Sequence, residues 1–232
     1  MKYTIPYRMV DGHIIVRSED GKICLIDTGS PCSVGNGESV LFAGGRYPLQ
    51  STFLGKAADE LPGPIGVRID VLIGVDILNR YDMLIDPVRK ELVFSDDELD
   101  VEGEALPIEQ VMGVPIVTVE VGGNRLKMFF DTGAKISYVD QETADAYPRV
   151  GTAEDYYMTV GPFRTAVHRI PMMLGSLTID LECGTLPQSL QLLLAAAGAA
   201  GIVGNAILGH FMVAYMPRRK TIILMRRPQE VE

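Results

Sequence analysis

The chain carries the same pattern twice, and this duplication limits the folds it can adopt more than any other feature. The segment Ile202–Leu208 matches Leu72–Leu78 at an offset of 130 residues, and each has two apolar residues followed by a glycine. The same offset relates four further pairs: Tyr81 and Phe211, Pro87 and Pro217, Arg89 and Arg219, and Lys90 and Lys220. The sequence therefore predicts two copies of one folding unit.

Each copy also contains an apolar segment that stops at an aspartate. Ile26 is followed by Asp27-Thr28-Gly29-Ser30, and Phe130 by Asp131-Thr132-Gly133-Ala134. A small hydroxyl residue and a glycine after the aspartate form a tight turn whose backbone amides can face the carboxylate. Either turn alone is equally compatible with a solvated aspartate. Two such turns in duplicated units predict that the two carboxylates meet.

The rest of the pattern is typical of short strands and turns. The 232 residues include 24 glycines, 14 prolines and no tryptophan, a composition that favours strands over long helices. Hairpins are predicted over 12–26, 40–49 and 83–94, a Gly/Pro-rich loop over 61–66, and a strand closed by Gly74 and continued by a helical turn. The prediction is an all-β fold with an N-terminal lobe over 1–95, an acidic linker over 96–107 and a C-terminal lobe over 108–232.

The two copies differ in length. The aspartate turns lie 104 residues apart and the glycine strands 130 apart, so the second copy has 26 additional residues between these two features. The surplus falls between about Pro148 and Ile170. There Tyr156–Val160, a Gly161-Pro162 turn and Phe163–His168 predict an added hairpin, within about 150–170.

Composition also argues against several classes of function. A net charge of −9 disfavours nucleic acid as a partner, because phosphate binding requires a concentrated basic face. The three cysteines and three histidines lack metal-ligand spacing, so no metal is expected. Polar residues and glycines interrupt the uncharged stretch Cys183–Gly209, so a membrane span is not expected. Without an apolar segment after Met1 no signal peptide is predicted, and a cytoplasmic location is the expectation.

With two Asp-Thr-Gly turns and a glycine strand after each, at Ile73-Gly74 and Val203-Gly204, the chain resembles the pepsin and retropepsin superfamily of aspartic peptidases from about residue 10 to 225. The resemblance implies a bilobal acid-protease-like β-barrel fold, with two lobes related by a pseudo-twofold axis. The length resembles two retropepsin subunits fused into one chain, which implies a monomer. Pepsin-like enzymes carry the covering hairpin, the flap, in the N-terminal lobe, whereas here only the C-terminal lobe has residues to spare.

The resemblance also implies a function, an endopeptidase acting on peptide or protein substrates without any cofactor. Asp27 and Asp131 share one proton and activate a water molecule. Thr28 and Thr132 form a lock between the lobes, and Gly29 and Gly133 offer amides to the two aspartates. Ser30 is expected to donate a hydrogen bond to Asp27 that Ala134 cannot give to Asp131, which makes the pair asymmetric. The candidate substrate-binding residues of the hairpin are Tyr157, Val160, Gly161, Pro162 and Phe163. The alternative is a catalytically inactive peptide-binding or structural module of the same fold.

Overall fold

The computed structural model describes residues 1–52, 55, 57, 66–157 and 160–227, and strands dominate them. The strands of the first half are β1 (Lys2–Val10), β2 (His13–Arg17), β3 (Ile23–Ile26), β4 (Val34–Gly35), β5 (Ser39–Phe42), β6 (Gly45–Pro48), β7 (Val71–Ile73), β8 (Asp82–Asp86) and β9 (Glu91–Ser95). Those of the second half are β10 (Glu104–Val111), β11 (Val114–Val121), β12 (Asn124–Phe130), β13 (Ser137–Val139), β14 (Arg149–Tyr157), β15 (Gly161–Leu174), β16 (Leu177–Thr185), β17 (Gly201–Val203), β18 (Phe211–Met216) and β19 (Thr221–Arg226). The helices are short: α1 (Val75–Leu78), α2 (Gln141–Asp145) and α3 (Gln188–Ala196), with 3₁₀ turns at Asn205–Gly209 and Pro217–Arg219.

Both halves build the same arrangement of strands around their aspartate. In the first, β2 pairs antiparallel with β3, and β3 pairs parallel with β7. In the second, β11 pairs antiparallel with β12, and β12 pairs parallel with β17. The inward faces of these strands are apolar and buried, and the main hydrophobic cluster contains residues of both halves. The predicted all-β, two-lobed fold is confirmed.

A six-stranded sheet in the order β1, β9, β8, β18, β19, β10 joins the two lobes. Its two middle strands come from different lobes, and Leu84 of β8 lies opposite Ala214 of β18. These two residues are 130 positions apart, which is the offset of the sequence repeat. The pseudo-twofold axis therefore passes through this pair of strands.

The structure differs from the sequence predictions at several boundaries. The N-terminal residues form β1, a separate strand paired with β9, as well as the predicted hairpin. β10 begins at Glu104, inside the segment predicted as linker, because residues 104–107 pair with β19. The domain limits 1–95, 96–107 and 108–232 themselves stay a prediction. The loop predicted over 61–66 lies, apart from Gly66, outside the described residues.

The uncharged stretch Cys183–Gly209 is divided between several elements. It contains the end of β16, all of α3 and β17, and the 3₁₀ turn at Asn205–Gly209. Within the part of the chain that the structure describes, no helix is long and apolar enough to cross a membrane.

Candidate active site

Asp27 and Asp131 each follow a strand that runs parallel to the glycine strand of its own lobe. The amide of Asp27 donates to the carbonyl of Ile73 (3.0 Å), and the amide of Asp131 donates to the carbonyl of Val203 (3.0 Å). The parallel pairing thus continues one residue past each strand and fixes where each aspartate leaves the sheet.

The glycine after each of these strands is required by close packing. A Cβ at Gly74 would lie 2.5 Å from the carbonyl oxygen of Cys32, and one at Gly204 would lie 2.2 Å from that of Ile136. Each glycine therefore lets the strand pass directly beneath the loop that carries its aspartate. The amide of the residue after each glycine donates to this same loop, Val75 to Ser30 and Asn205 to Ala134.

Thr28 and Thr132 bind the two turns to each other. The Thr28 hydroxyl donates to the Phe130 carbonyl (2.7 Å) and accepts from the Thr132 amide (3.0 Å). The Thr132 hydroxyl donates to the Ile26 carbonyl (2.9 Å) and accepts from the Thr28 amide (3.0 Å). Both side chains are buried. These four reciprocal hydrogen bonds hold the lobes in register directly below the aspartates, in the arrangement that the resemblance implied.

The two carboxyl groups face each other between Gly29 and Gly133. Each glycine amide donates to the aspartate of its own turn, Gly29 to Asp27 (2.9 Å) and Gly133 to Asp131 (2.7 Å). Each glycine also lies against the opposite aspartate, because a Cβ at Gly29 would come within 2.3 Å of the Asp131 carboxyl carbon and one at Gly133 within 2.6 Å of that of Asp27. A larger residue at either glycine would displace a carboxyl group.

Burial raises the pKa of both carboxyl groups, and the charge of Asp131 raises that of Asp27 further. For Asp27 the pKa is raised well above 3.8, first by burial, then by the charge of Asp131 and by their hydrogen bond. The pKa of Asp131 is raised by burial, against the opposing effects of the Gly133 amide, the Asp27 side chain, the Gly29 amide and the charge of His13. Two carboxyl groups in hydrogen-bonding contact with raised pKa values hold a proton above the pH at which an isolated aspartate loses it.

This shift predicts how stability depends on pH. Above pH 3.8 the unfolded chain releases protons that the folded pair still holds, so wild-type stability falls as pH rises toward the raised pKa. Asp27→Asn removes one of the two charges. We expect its unfolding free energy relative to that of wild type to increase as the pH rises from 3.5 to 7, measured by denaturant unfolding. The exposed Asp180→Asn serves as the control and should show no such gain. A difference between Asp27→Asn and wild type that does not change with pH would contradict the raised pKa.

One predicted contact near the pair is wrong. The Ser30 hydroxyl donates to the carbonyl of Cys32 (2.8 Å) and not to the carboxylate of Asp27. The serine stabilises the loop after its own turn instead. The asymmetry expected from Ser30 therefore has no basis in this contact.

Above the carboxyl pair lies a cavity of about 570 Å³, within the size range of small-molecule and cofactor sites. Leu25 and Leu72 line it from the N-terminal lobe, and Ala134, Leu186 and Ile202 from the C-terminal lobe. The pair of aspartates thus lies in a cleft between the lobes whose lining combines these apolar side chains with charged and polar ones.

The added hairpin of the C-terminal lobe, β14 and β15, covers this cavity. Tyr157, Pro162 and Phe163 line it, whereas Gly161 and Val160 are not among its lining residues, and Val160 is 38% exposed. Gly161 and Pro162, which were predicted to form the turn, are instead the first two residues of β15 and pair with Tyr157 and Tyr156. Gly161 takes a left-handed backbone (φ +84°), which glycine adopts without strain. Met158 and Thr159, which the prediction placed in the first strand of the hairpin, lie outside the described residues.

Sequence reasoning missed several residues of the site. Ser33 and Ser137 are buried and accept hydrogen bonds from the amides of Gly74 (2.9 Å) and Gly204 (3.2 Å). They lie 104 residues apart, as the aspartates do, so the repeat itself could have identified them. Tyr138 and the missed polar residues of the cavity carry no such signal: Asp11, His13, Lys135, Thr152, Glu154, Asp155 and Arg164.

Comparison with known proteins adds information at the level of the fold. The sequence matches no protein-family model and no curated protein. Among solved structures, it is similar to an aspartic proteinase from Irpex lacteus, with a TM-score of 0.57 and 12% identity over 100% of this chain and 99% of that one. At this identity the likeness shows the fold alone. The chain has the bilobal, acid-protease-like all-β fold.

Proposed function

We propose that the protein is an aspartic endopeptidase that hydrolyses peptide bonds with Asp27 and Asp131. The observation that carries the proposal is the carboxyl pair itself. Its two members come from duplicated turns, face each other across the lobe boundary and have raised pKa values. Buried carboxyl groups in contact are costly to a fold, and perturbed pKa values in a cleft are characteristic of functional sites.

The chemistry requires one proton shared by the pair and one water molecule. One carboxylate takes a proton from the water, whose oxygen attacks the peptide carbonyl carbon, while the other carboxyl group donates its proton to the carbonyl oxygen. When the tetrahedral gem-diol collapses, the carboxyl group that took the water proton gives it to the nitrogen, the C–N bond breaks and the amine leaves. A gem-diol hydroxyl returns its proton to the other carboxylate, so the pair again holds one shared proton. The two apparent pKa values of activity belong to the pair and not to either aspartate.

The hairpin over the cavity supports the proposal, because it would shield the reacting groups from bulk solvent. Tyr157 lines the same cavity as the two aspartates, and burial and the charges of Asp131 and Asp27 raise its pKa to about 12. A tyrosine that keeps its proton throughout the working pH range can donate a hydrogen bond to a bound substrate. Of the residues predicted in the hairpin, Tyr157, Pro162 and Phe163 are the ones that we assign to substrate contact.

The partner is therefore a peptide or protein in extended form. A strand lying in the cleft would point successive side chains in opposite directions, toward the floor of the cleft and toward the hairpin. Action as a monomer and a cytoplasmic location stay predictions from the sequence.

A direct test is to incubate the protein, Asp27→Asn and Asp131→Asn with a mixed peptide library from pH 3 to 7 and to identify products by mass spectrometry. We expect cleavage by wild type alone. Wild type that cuts no peptide, yet retains peptides as well as both variants do, would establish the non-catalytic binding module. Cleavage that survives both substitutions would exclude the proposed mechanism.

A further inference from the structure

The hairpin over the cavity is for part of its length a two-stranded ribbon. β15 pairs with β16 from His168 to Leu174, but from Gly161 to Val167 its ladder is with β14. Within the described residues, β14 pairs with β15 alone. An isolated ribbon of two strands is marginally stable, so its position over the cavity must be set by side chains beneath it.

Tyr138 lies beneath this ribbon, on β13, seven residues after Asp131. Its side chain is 2% exposed, its hydroxyl donates a hydrogen bond to Asp155 of β14, and its ring centroid is 6.2 Å from that of Phe163 of β15. Asp155 and Phe163 are directly paired across the ribbon. One buried side chain thus holds both strands at a single step of the ladder.

The next steps of the ladder are those over the aspartates. Tyr156 pairs with Pro162, and Tyr157 pairs with Gly161. Tyr156 packs on the cluster of the N-terminal lobe that includes Leu25 and Leu72, so the ribbon reaches across the cleft. Since the ladder is continuous from Asp155 to Tyr157, any shift at Asp155 moves Tyr157 relative to the carboxyl pair.

We propose that Tyr138 is a positioning residue that holds the ribbon over the carboxyl pair and thereby controls substrate capture. The inference rests on the proposed peptidase function for its kinetic consequence, but the position of the ribbon is a property of the protein without substrate. Tyr138 acts through Asp155 and Phe163 and does not itself take part in the reaction.

The chain contains no tryptophan, which permits a test of ribbon position without substrate. Val160→Trp places a single fluorophore at an exposed position next to the tip. In this background we expect Tyr138→Phe to increase quenching of that tryptophan by acrylamide, because the released tip spends more time away from the cleft. The control is Tyr81→Phe, which removes another buried tyrosine hydroxyl, bonded to the Ala43 carbonyl (3.1 Å) in the other lobe, and should leave quenching unchanged.

For a peptide that wild type cleaves, Tyr138→Phe should raise KM about tenfold and change kcat less. A tenfold change corresponds to the loss of one hydrogen bond to a charged group. Asp155→Ala should have a similar effect, and the double variant should be no worse than either single one, because both remove the same bond. Unchanged quenching and unchanged KM in Tyr138→Phe would overturn the inference. If quenching increases but wild type cuts no peptide, the positioning role stands and the proposed function fails.

Discussion

Asp27→Asn and Asp131→Asn are each expected to lower kcat by about 10⁴-fold, the upper range for loss of general acid–base catalysis. Either substitution leaves one carboxyl group beside an amide. The pair can then no longer provide a base for water and an acid for the carbonyl oxygen in the same complex. The measurement is kcat on one peptide selected from the library, at the pH of maximum wild-type activity.

The same variants separate loss of catalysis from loss of folding. Because Asp27→Asn removes a repulsive buried charge, it should be at least as stable as wild type at pH 7 while being inactive. It should also still bind a peptide whose scissile amide is replaced by a hydroxymethylene group. Retention of more than about a hundredth of wild-type kcat would assign the chemistry to other groups, since single catalytic groups contribute at least that much. Asp180→Asn should leave kcat unchanged.

Thr132→Val is expected to lower the unfolding free energy by about 2–4 kcal/mol, the combined effect of losing two buried hydrogen bonds. Valine has nearly the shape of threonine but cannot bond to the carbonyl of Ile26 or the amide of Thr28, and both groups would be left without this partner inside the protein. Denaturant unfolding at pH 5 measures the loss.

Thr132→Ser provides the matched control, because serine keeps the hydroxyl and loses only a methyl group. We expect it to retain most of the stability and of the activity. If Thr132→Val and Thr132→Ser are equally stable, the hydrogen bonds between the turns do not hold the lobes together. A loss of activity in Thr132→Val that exceeds its loss of folded protein would show that the same bonds align the carboxyl groups.

The repeat made the fold and the centre of the site predictable. Two aspartates at duplicated positions, each with a glycine strand downstream, are enough to place Asp27 and Asp131 together, because one folding unit built twice brings equivalent residues to one axis. The hairpin was predictable for the complementary reason, since the surplus residues of the second copy had no counterpart in the first.

What the sequence did not predict depends on contacts between segments that follow no repeat. The Ser30 hydroxyl donates to the Cys32 carbonyl, and the path of the loop that brings this carbonyl to it is not encoded in the Asp-Thr-Gly-Ser pattern. In the sequence Tyr138 has the pattern of an apolar strand residue. Its hydrogen bond to Asp155 depends on the ribbon lying across it, which the sequence does not show. β10 begins in an acidic segment because β19 offers it a free edge, which overrides local composition.

The ribbon over the cleft is an insertion in one copy of the repeat, and a protein with both copies in one chain can acquire such an insertion on one side alone. In a dimer of identical chains every insertion occurs twice, so two ribbons would compete for the space above one pair of carboxyl groups. Joining the copies in one chain removes that constraint, because β14 and β15 occur only in the second copy within the described residues. The cleft thus has a fixed side, where the ribbon joins the C-terminal lobe, and an opposite side where Tyr156 packs on the N-terminal lobe. On the proposed function, we expect a long peptide to enter sideways at this contact, without being threaded from its end.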